Sequence, residues 1–234
     1  MTYFITPEYM WNLSAEFLLV LGLALRLIVQ FVNRAAAEKF ARATAGIALA
    51  LAGFLLWYNF PHAGAEVLSR HLSADVPGWI AKGLIVISAV AALRATMAHE
   101  QPQLFLCTVA AMLLAAANDL ATAWLALECM LVAALARPGA RLWSALLIAT
   151  TAAFALRYGT TELSQLATLR ADALQIPWLA LPPVLLTVVF ISYLYKPQGR
   201  YVAIVFFAIL TFVVRYFSVI FAGTNIARKL GFLV

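Results

Sequence analysis

A few positions in this chain carry charge where charge is expensive. Glu128 stands inside the apolar run Leu120–Ala136, nine residues beyond Asp119. At 1.5 Å per helical residue it lies roughly 13 Å from that point, near the middle of a hydrocarbon layer about 30 Å thick. An acid at such depth costs several kcal/mol unless it is neutral, paired or facing water, so the chemistry open to it is proton relay or charge pairing. Arg215, between Val214 and Tyr216 in the last apolar run, sits seven residues before Ala222. That is roughly 11 Å in, a depth matching Glu128 if both are measured from the same side. Lys82 falls in the first turn of the third apolar run, and Glu16 near the start of the first.

Each of these residues has a structural reading beside the chemical one. Glu128 is a relay carboxylate or an acid kept neutral or paired for packing. Arg215 pairs with Glu128, or it snorkels or meets a neighbouring subunit or lipid headgroup. Lys82 modulates a relay, or it snorkels near a span end as Glu16 does. Asn118 and Asp119 break the apolar pattern ahead of Leu120. Residues of this type accept hydrogen bonds from the orphan N–H groups of the following helix, and a gate is the alternative role. His62, His71 and His99 lack the spacing of a metal site and read as solvated. No Gly-rich phosphate loop, iron–sulfur cysteine cluster, nucleophile elbow or HExxH motif occurs, so the chain shows no catalytic residues, bound cofactor or metal of its own.

The elements that position these residues follow from composition. The 234 residues are 65% hydrophobic and only 11% charged, with a mean hydropathy of +0.94, which points to an all-α, polytopic integral membrane protein. The net charge of +6 sits in the gaps between apolar runs, where it reports orientation and not nucleic-acid binding. Eight spans are predicted: about Leu13–Val32, Thr44–Phe60, Trp79–Met97, Gln103–Ala117, Leu120–Ala136, Leu142–Tyr158, Pro177–Tyr195 and Tyr201–Ala222. Trp57, Tyr58 and Phe60 read as an interfacial belt closing the second. Two short interfacial helices are expected, one between Pro61 and Pro77 carrying Val67, Leu68 and Leu72, the other over Thr161–Arg170 carrying Leu163, Leu166 and Leu169. Lys and Arg in the alternate gaps favour both termini on the outer side. Cys107 and Cys129 read as small buried apolar residues. The amino-terminal residues have neither the basic start of a signal peptide nor the composition of a transit peptide, so the first span directs insertion unless a presequence has been removed. No long linker or internal repeat divides residues 1–234, which form one domain.

One stretch also resembles a known family. Met112-Leu-Leu-Ala-Ala-Ala-Asn-Asp-Leu120 followed by Leu125-Ala-Leu-Glu128 is similar to subunit 2 (subunit N) of the proton-pumping NADH:quinone oxidoreductase, respiratory complex I. Weaker matches are Glu16-Phe17, Lys82-Gly-Leu-Ile-Val and Arg157-Tyr-Gly-Thr-Thr-Glu-Leu163. The resemblance covers about residues 13–170. It implies that Glu128 occupies the place of the family's fifth-helix glutamate, one of a mid-membrane line of acids and lysines. The family's later lysine-bearing helices have no counterpart in residues 171–234, which diverge and hold two further spans. The resemblance therefore implies a shortened membrane-arm subunit, mainly structural, with proton translocation reduced or lost. A proton-translocating channel using Glu128, Lys82 and Arg215, or a subunit of a multisubunit cation/proton antiporter, is the alternative. The implied setting is a hetero-oligomer with other membrane-arm subunits and phospholipids, cardiolipin among them, in the mitochondrial inner membrane or, alternatively, a bacterial plasma membrane. NADH, FMN, iron–sulfur clusters and quinone would belong to partner subunits.

Overall fold

A computed structural model describes residues 12–60, 66–67, 72–73, 75–134, 138–168, 176–194 and 199–221, with the backbone alone at 34–37, 39, 66–67, 73, 138–141 and 176–177. Eight long helices stand where the eight apolar runs lie: α1 (Ser14–Val32), α2 (Arg34–Asn59), α3 (Val76–Arg94), α4 (Gln101–Ala116), α5 (Leu120–Ala133), α6 (Pro138–Tyr158), α8 (Ile176–Leu194) and α9 (Val202–Ile220). A short α7 (Leu163–Thr168) lies between α6 and α8, and β1 (Glu66–Val67) pairs antiparallel with β2 (Leu72–Ser73). Among the described residues four segments are long and apolar enough to cross a membrane: Ser14–Val32, Phe40–Asn59, Val76–Arg94 and Gly199–Ile220. Large apolar side chains lie on the outward faces, with Ile47, Ile87 and Leu156 all exposed. Surfaces of this kind are compatible with a multi-pass membrane protein.

The core is organised around α4. Twelve of its residues are buried, among them Cys107, Thr108, Ala110, Ala111, Ala115 and Ala116. Side chains this small let α1, α3, α5 and α9 all pack against it. From α9 a buried stripe of Ile204, Ala208, Phe212 and Tyr216 recurs every four residues, the spacing of one helical face. The α1–α2 pair is a hairpin turned at Asn33, which has extended backbone. Its open end is tied by Asn59 Nδ2 donating to Ser14 Oγ at 2.9 Å.

Several expected boundaries move. The basic linker before the second span is itself helical, so α2 begins at Arg34 and its 26 residues reach about 39 Å, longer than a hydrocarbon layer. Trp57, Tyr58 and Phe60 are exposed at its far end. The interfacial helix expected between Pro61 and Pro77 is not what its described residues form. Glu66–Val67 and Leu72–Ser73 make the strand pair, and Leu72 continues as an antiparallel bridge to Ala117. The reason is local: Ala117 has left the helix with φ −60° and ψ 133°, and extended backbone there offers a pairing edge. His62, Arg70 and His71 lie outside the described residues. In the second expected interfacial helix, α7, Leu163 and Leu166 are fully buried against α9 and face the core; Leu169 lies outside the described residues. Cys107 is buried as expected, but Cys129 is exposed, because α5 turns that face outward.

α8 carries Pro182 and Pro183 within the helix. Pro183 has no N–H to offer the carbonyl four residues back, at Leu179. The hydroxyl of buried Tyr216 supplies the missing donor, bonding Leu179 O at 2.6 Å. Replacing Tyr216 with Phe leaves that carbonyl unsatisfied and should cost about 1–3 kcal/mol. A lowered thermal unfolding midpoint in detergent checks this, and a Pro183→Ala background, which restores the N–H, should shrink the loss.

Candidate functional site

The polar centre of the protein is the break between α4 and α5. Helix α4 ends at Ala116 and leaves its last carbonyls without intrahelical donors. Arg215, on α9 and 5% exposed, fills that place: its Nη1 donates to Ala115 O and, at 3.2 Å, to Ala117 O. The same guanidinium holds Asp75, with Nε 3.1 Å from Oδ2 and Nη2 bonded to Oδ1. Asp75 is the N-cap of α3, accepting from Gly78 N at 3.0 Å, with Pro77 in the first turn. One cation thus bridges the negative end of one helix and the acid at the positive end of another, each complementing a helix dipole. Gly78 makes room for it, since a Cβ there would lie 2.5 Å from Arg215 Nη2 and 2.6 Å from Asp75 Oδ1.

Other chain segments close the break. Asp119 is the N-cap of α5, as its position ahead of Leu120 predicts: Oδ1 accepts from Thr122 N at 2.8 Å and Oδ2 from Thr122 Oγ1 at 2.6 Å. Asn118 contributes its backbone carbonyl, which accepts from Leu163 N at 3.1 Å, while Leu120 N donates to Thr161 O at 3.0 Å. Asp119 bridges Glu162 on that side, and Ala117 bridges Leu72 on the other.

Lys82 lies deeper than its sequence position suggests. Because α3 starts at Val76 and not Trp79, Lys82 is in the second turn and only 2% exposed. Its Nζ is 2.6 Å from Glu16 Oε1 on α1, itself 4% exposed. The contact is an ion pair more than a directed hydrogen bond, and Glu16 Oε2 finds no donor among the described residues. The Trp79 ring, 5.5 Å from Nζ, adds a cation–π contact. Neither residue snorkels; each neutralises the other where an unpaired charge would cost several kcal/mol.

Glu128 has a third, separate environment. It is half-buried on α5 and accepts a hydrogen bond from Ser144 Oγ of α6, which is fully buried. Leu125 and Val132, on neighbouring turns, are exposed, so the carboxylate lies beside the outward face of the helix pair. Arg215 pairs with Asp75 and not with Glu128. It stands five residues from the end of α9, roughly 7.5 Å in, level with the α4–α5 break. The principal neighbours of α5 are α4 and α6, whereas α3 packs on α2, α4 and α9. Helix α4 therefore stands between Lys82 and Glu128, and the three charges are held in three different pairings.

At the opposite end, Arg200 forms a fork on Glu100, with Nη2 2.6 Å from Oε1 and Nη1 bonded to Oε2. Glu100 also accepts from Met97 N at 2.9 Å. The Arg200 hydrogen bonds, then the Met97 amide, hold the Glu100 carboxyl below its ordinary value of 4.5. His99 beside it is exposed. Among the described residues no cluster of His, Cys, Asp and Glu comes together that could hold a metal.

Sequence reasoning did not assign Asp75, Ser144 or Glu16 as partners. Asp75-Val-Pro-Gly78 is a helix-start signal that would have located α3 three residues earlier. No sequence feature marks Ser144. Comparison with protein-family models and with curated proteins finds no match to this chain.

Removing the Arg215 guanidinium by Arg215→Met strands Asp75 and two carbonyls, and should destabilise the protein by about 3–5 kcal/mol. Asp75→Asn should cost less, because that carboxylate is 36% exposed. A double-mutant cycle on thermal midpoints should return a favourable coupling energy between the two. For Glu100 the lowered pKa fixes the sign: its stabilising contribution is present above 4.5 and is lost as pH falls through the lowered value. Glu100→Gln should thus lower the midpoint at neutral pH by the equivalent of about 1 kcal/mol, and the gap to wild type should close on acidification.

Proposed function

We propose that the chain crosses a membrane eight times as a shortened, subunit-2-like component of the membrane arm of respiratory complex I, acting as a structural spacer with proton translocation reduced or lost. The observation that carries the spacer reading is the separate pairing of the three membrane-embedded charges: Glu128 with Ser144, Lys82 with Glu16, and Arg215 with Asp75. Proton transfer across a membrane needs a line of titratable groups or water joining one to the next. Here Arg215 and Lys82 each neutralise an acid and cover a helix end or a buried carboxylate, which is the work of a scaffold.

The eight-span topology is supported by helix directions at two places: Ser14 meeting Asn59 makes α1 and α2 antiparallel, and Arg200 meeting Glu100 starts α4 and α9 at the same end, as eight alternating spans require. The shorter apolar helices Leu120–Ala133, Leu142–Tyr158 and Trp178–Leu194 and the enclosed α4 would complete the spans beside the four longer segments. The setting proposed is the mitochondrial inner membrane. Other membrane-arm subunits would cover the outward faces, and the NADH, FMN, iron–sulfur and quinone chemistry would reside in partner chains. The resemblance around Asn118-Asp119-Leu120 and Glu128 supplies this assignment.

Two measurements test it. Native purification through a tagged copy should bring down NADH-oxidising subunits; recovery of a cation/proton antiporter without them would overturn the assignment. In the assembled complex, Glu128→Gln should leave the number of protons pumped per NADH unchanged. A large fall in that ratio with normal assembly would instead establish Glu128 as part of a working relay.

A further inference from the structure

The α1–α2 hairpin carries a trough on its outer side. Its cavity volume is about 490 Å³, and its lining runs from Leu18 to Val29 on α1 and from Phe40 to Leu51 on α2. Twelve residues of each helix, eleven rises apart end to end, make it roughly 16 Å long, parallel to the helices. Gly22 brings the two helices close, an added Cβ there lying 3.4 Å from Ala48 Cβ, and buried Phe105 of α4 also lines the trough. Leu21, Leu25 and Ile47 form exposed apolar walls.

The lining is apolar except at two places, Thr44 and Arg26. Arg26 is 7% exposed and donates from Nη2 to Ala98 O at 3.0 Å. Ala98 belongs to the short turn joining α3 to α4, at the end of the bundle. The trough therefore has a guanidinium near the level where the helices end, and apolar walls running inward from it. We propose that it binds one glycerophospholipid with an anionic headgroup, an acyl chain lying along Leu21, Leu25 and Ile47 and the phosphodiester at Arg26. Length, direction and polarity all match that occupant. An acyl chain needs an apolar channel parallel to the helices, and a phosphate at the surface is met by the planar fork of an arginine. The Ala98 bond holds one edge of the guanidinium beside the α3–α4 turn.

The inference rests on the membrane-spanning part of the proposed function and holds whether or not the chain belongs to complex I. The test uses the full chain in its native assembly, analysed by native mass spectrometry after exchange into nanodiscs of phosphatidylglycerol, of phosphatidylcholine or of an equal mixture. Wild type should retain one tightly held phospholipid, with phosphatidylglycerol preferred. Leu25→Trp, at an exposed position, should fill the trough and lose that lipid. Arg26→Gln should keep a lipid but lose about tenfold of the preference for the anionic headgroup, the loss expected for one charge-assisted contact. Unchanged retention in Leu25→Trp, or no headgroup preference in wild type, overturns the proposal. So does a photoreactive residue at Leu21 that crosslinks to another polypeptide. If alkaline carbonate strips the chain from membranes, the spanning reading itself falls; an embedded chain with unchanged lipid mass overturns the trough alone.

Discussion

A carbonyl at the end of a helix has no amide in its own helix to meet it, and inside a lipid layer no water takes that place. The break at residues 115–120 concentrates this problem at one end of the enclosed helix α4. Helix α4 stops there, enclosed by four neighbours, and α5 begins a few residues later. The ends are satisfied from outside: by Arg215, by the backbones of Leu72, Thr161 and Leu163, and by the Asp119 cap. Three separate stretches of chain, at Leu72, at Thr161 to Leu163 and at Arg215, are therefore tied to one short segment, and the positions of β2, α7 and the start of α3 follow from it.

Helix α9 does much of this work from two adjacent residues. Arg215 serves the end of α4, and Tyr216, the next residue, serves the carbonyl that Pro183 leaves open in α8. Both are buried, and both donors replace backbone hydrogen bonds that helix geometry or proline chemistry removes. The apolar stripe that carries α9 against the core thus also carries its two polar repairs. A substitution that rotated the helix would misplace both.

The same economy governs the charges. A charge in a low-dielectric interior persists when another group neutralises or solvates it, and here Lys82, Arg215 and Glu128 each have a local partner. Lys82 and Glu16 join α3 to α1, Arg215 and Asp75 join α9 to α3, and Arg200 and Glu100 join the ends of the α3–α4 and α8–α9 connections. These pairs link helices that are distant in the sequence. Glu128 differs, because its partner is an uncharged hydroxyl and it lies beside an exposed face. The proposed function would have neighbouring subunits cover that face.

The sequence by itself determined where the apolar helices lie, because runs of apolar residues broken by Pro, Gly, Asn and Asp leave few other ways to satisfy a backbone. It also marked Asp119 as a cap and showed which residues carry charge in apolar surroundings. Partner identities were decided only by tertiary structure. Arg215 and Glu128 match in counted depth, yet depth along a helix says nothing about which neighbour a side chain faces, and packing put Asp75 beside Arg215. The inward turn of α7 and the strand pair at Leu72 were equally hidden, since both answer to backbone groups left open at Ala117 and Asn118, far away in sequence. Local pattern fixes a helix through bonds four residues apart. Contacts spanning a hundred or more residues depend on how those helices assemble.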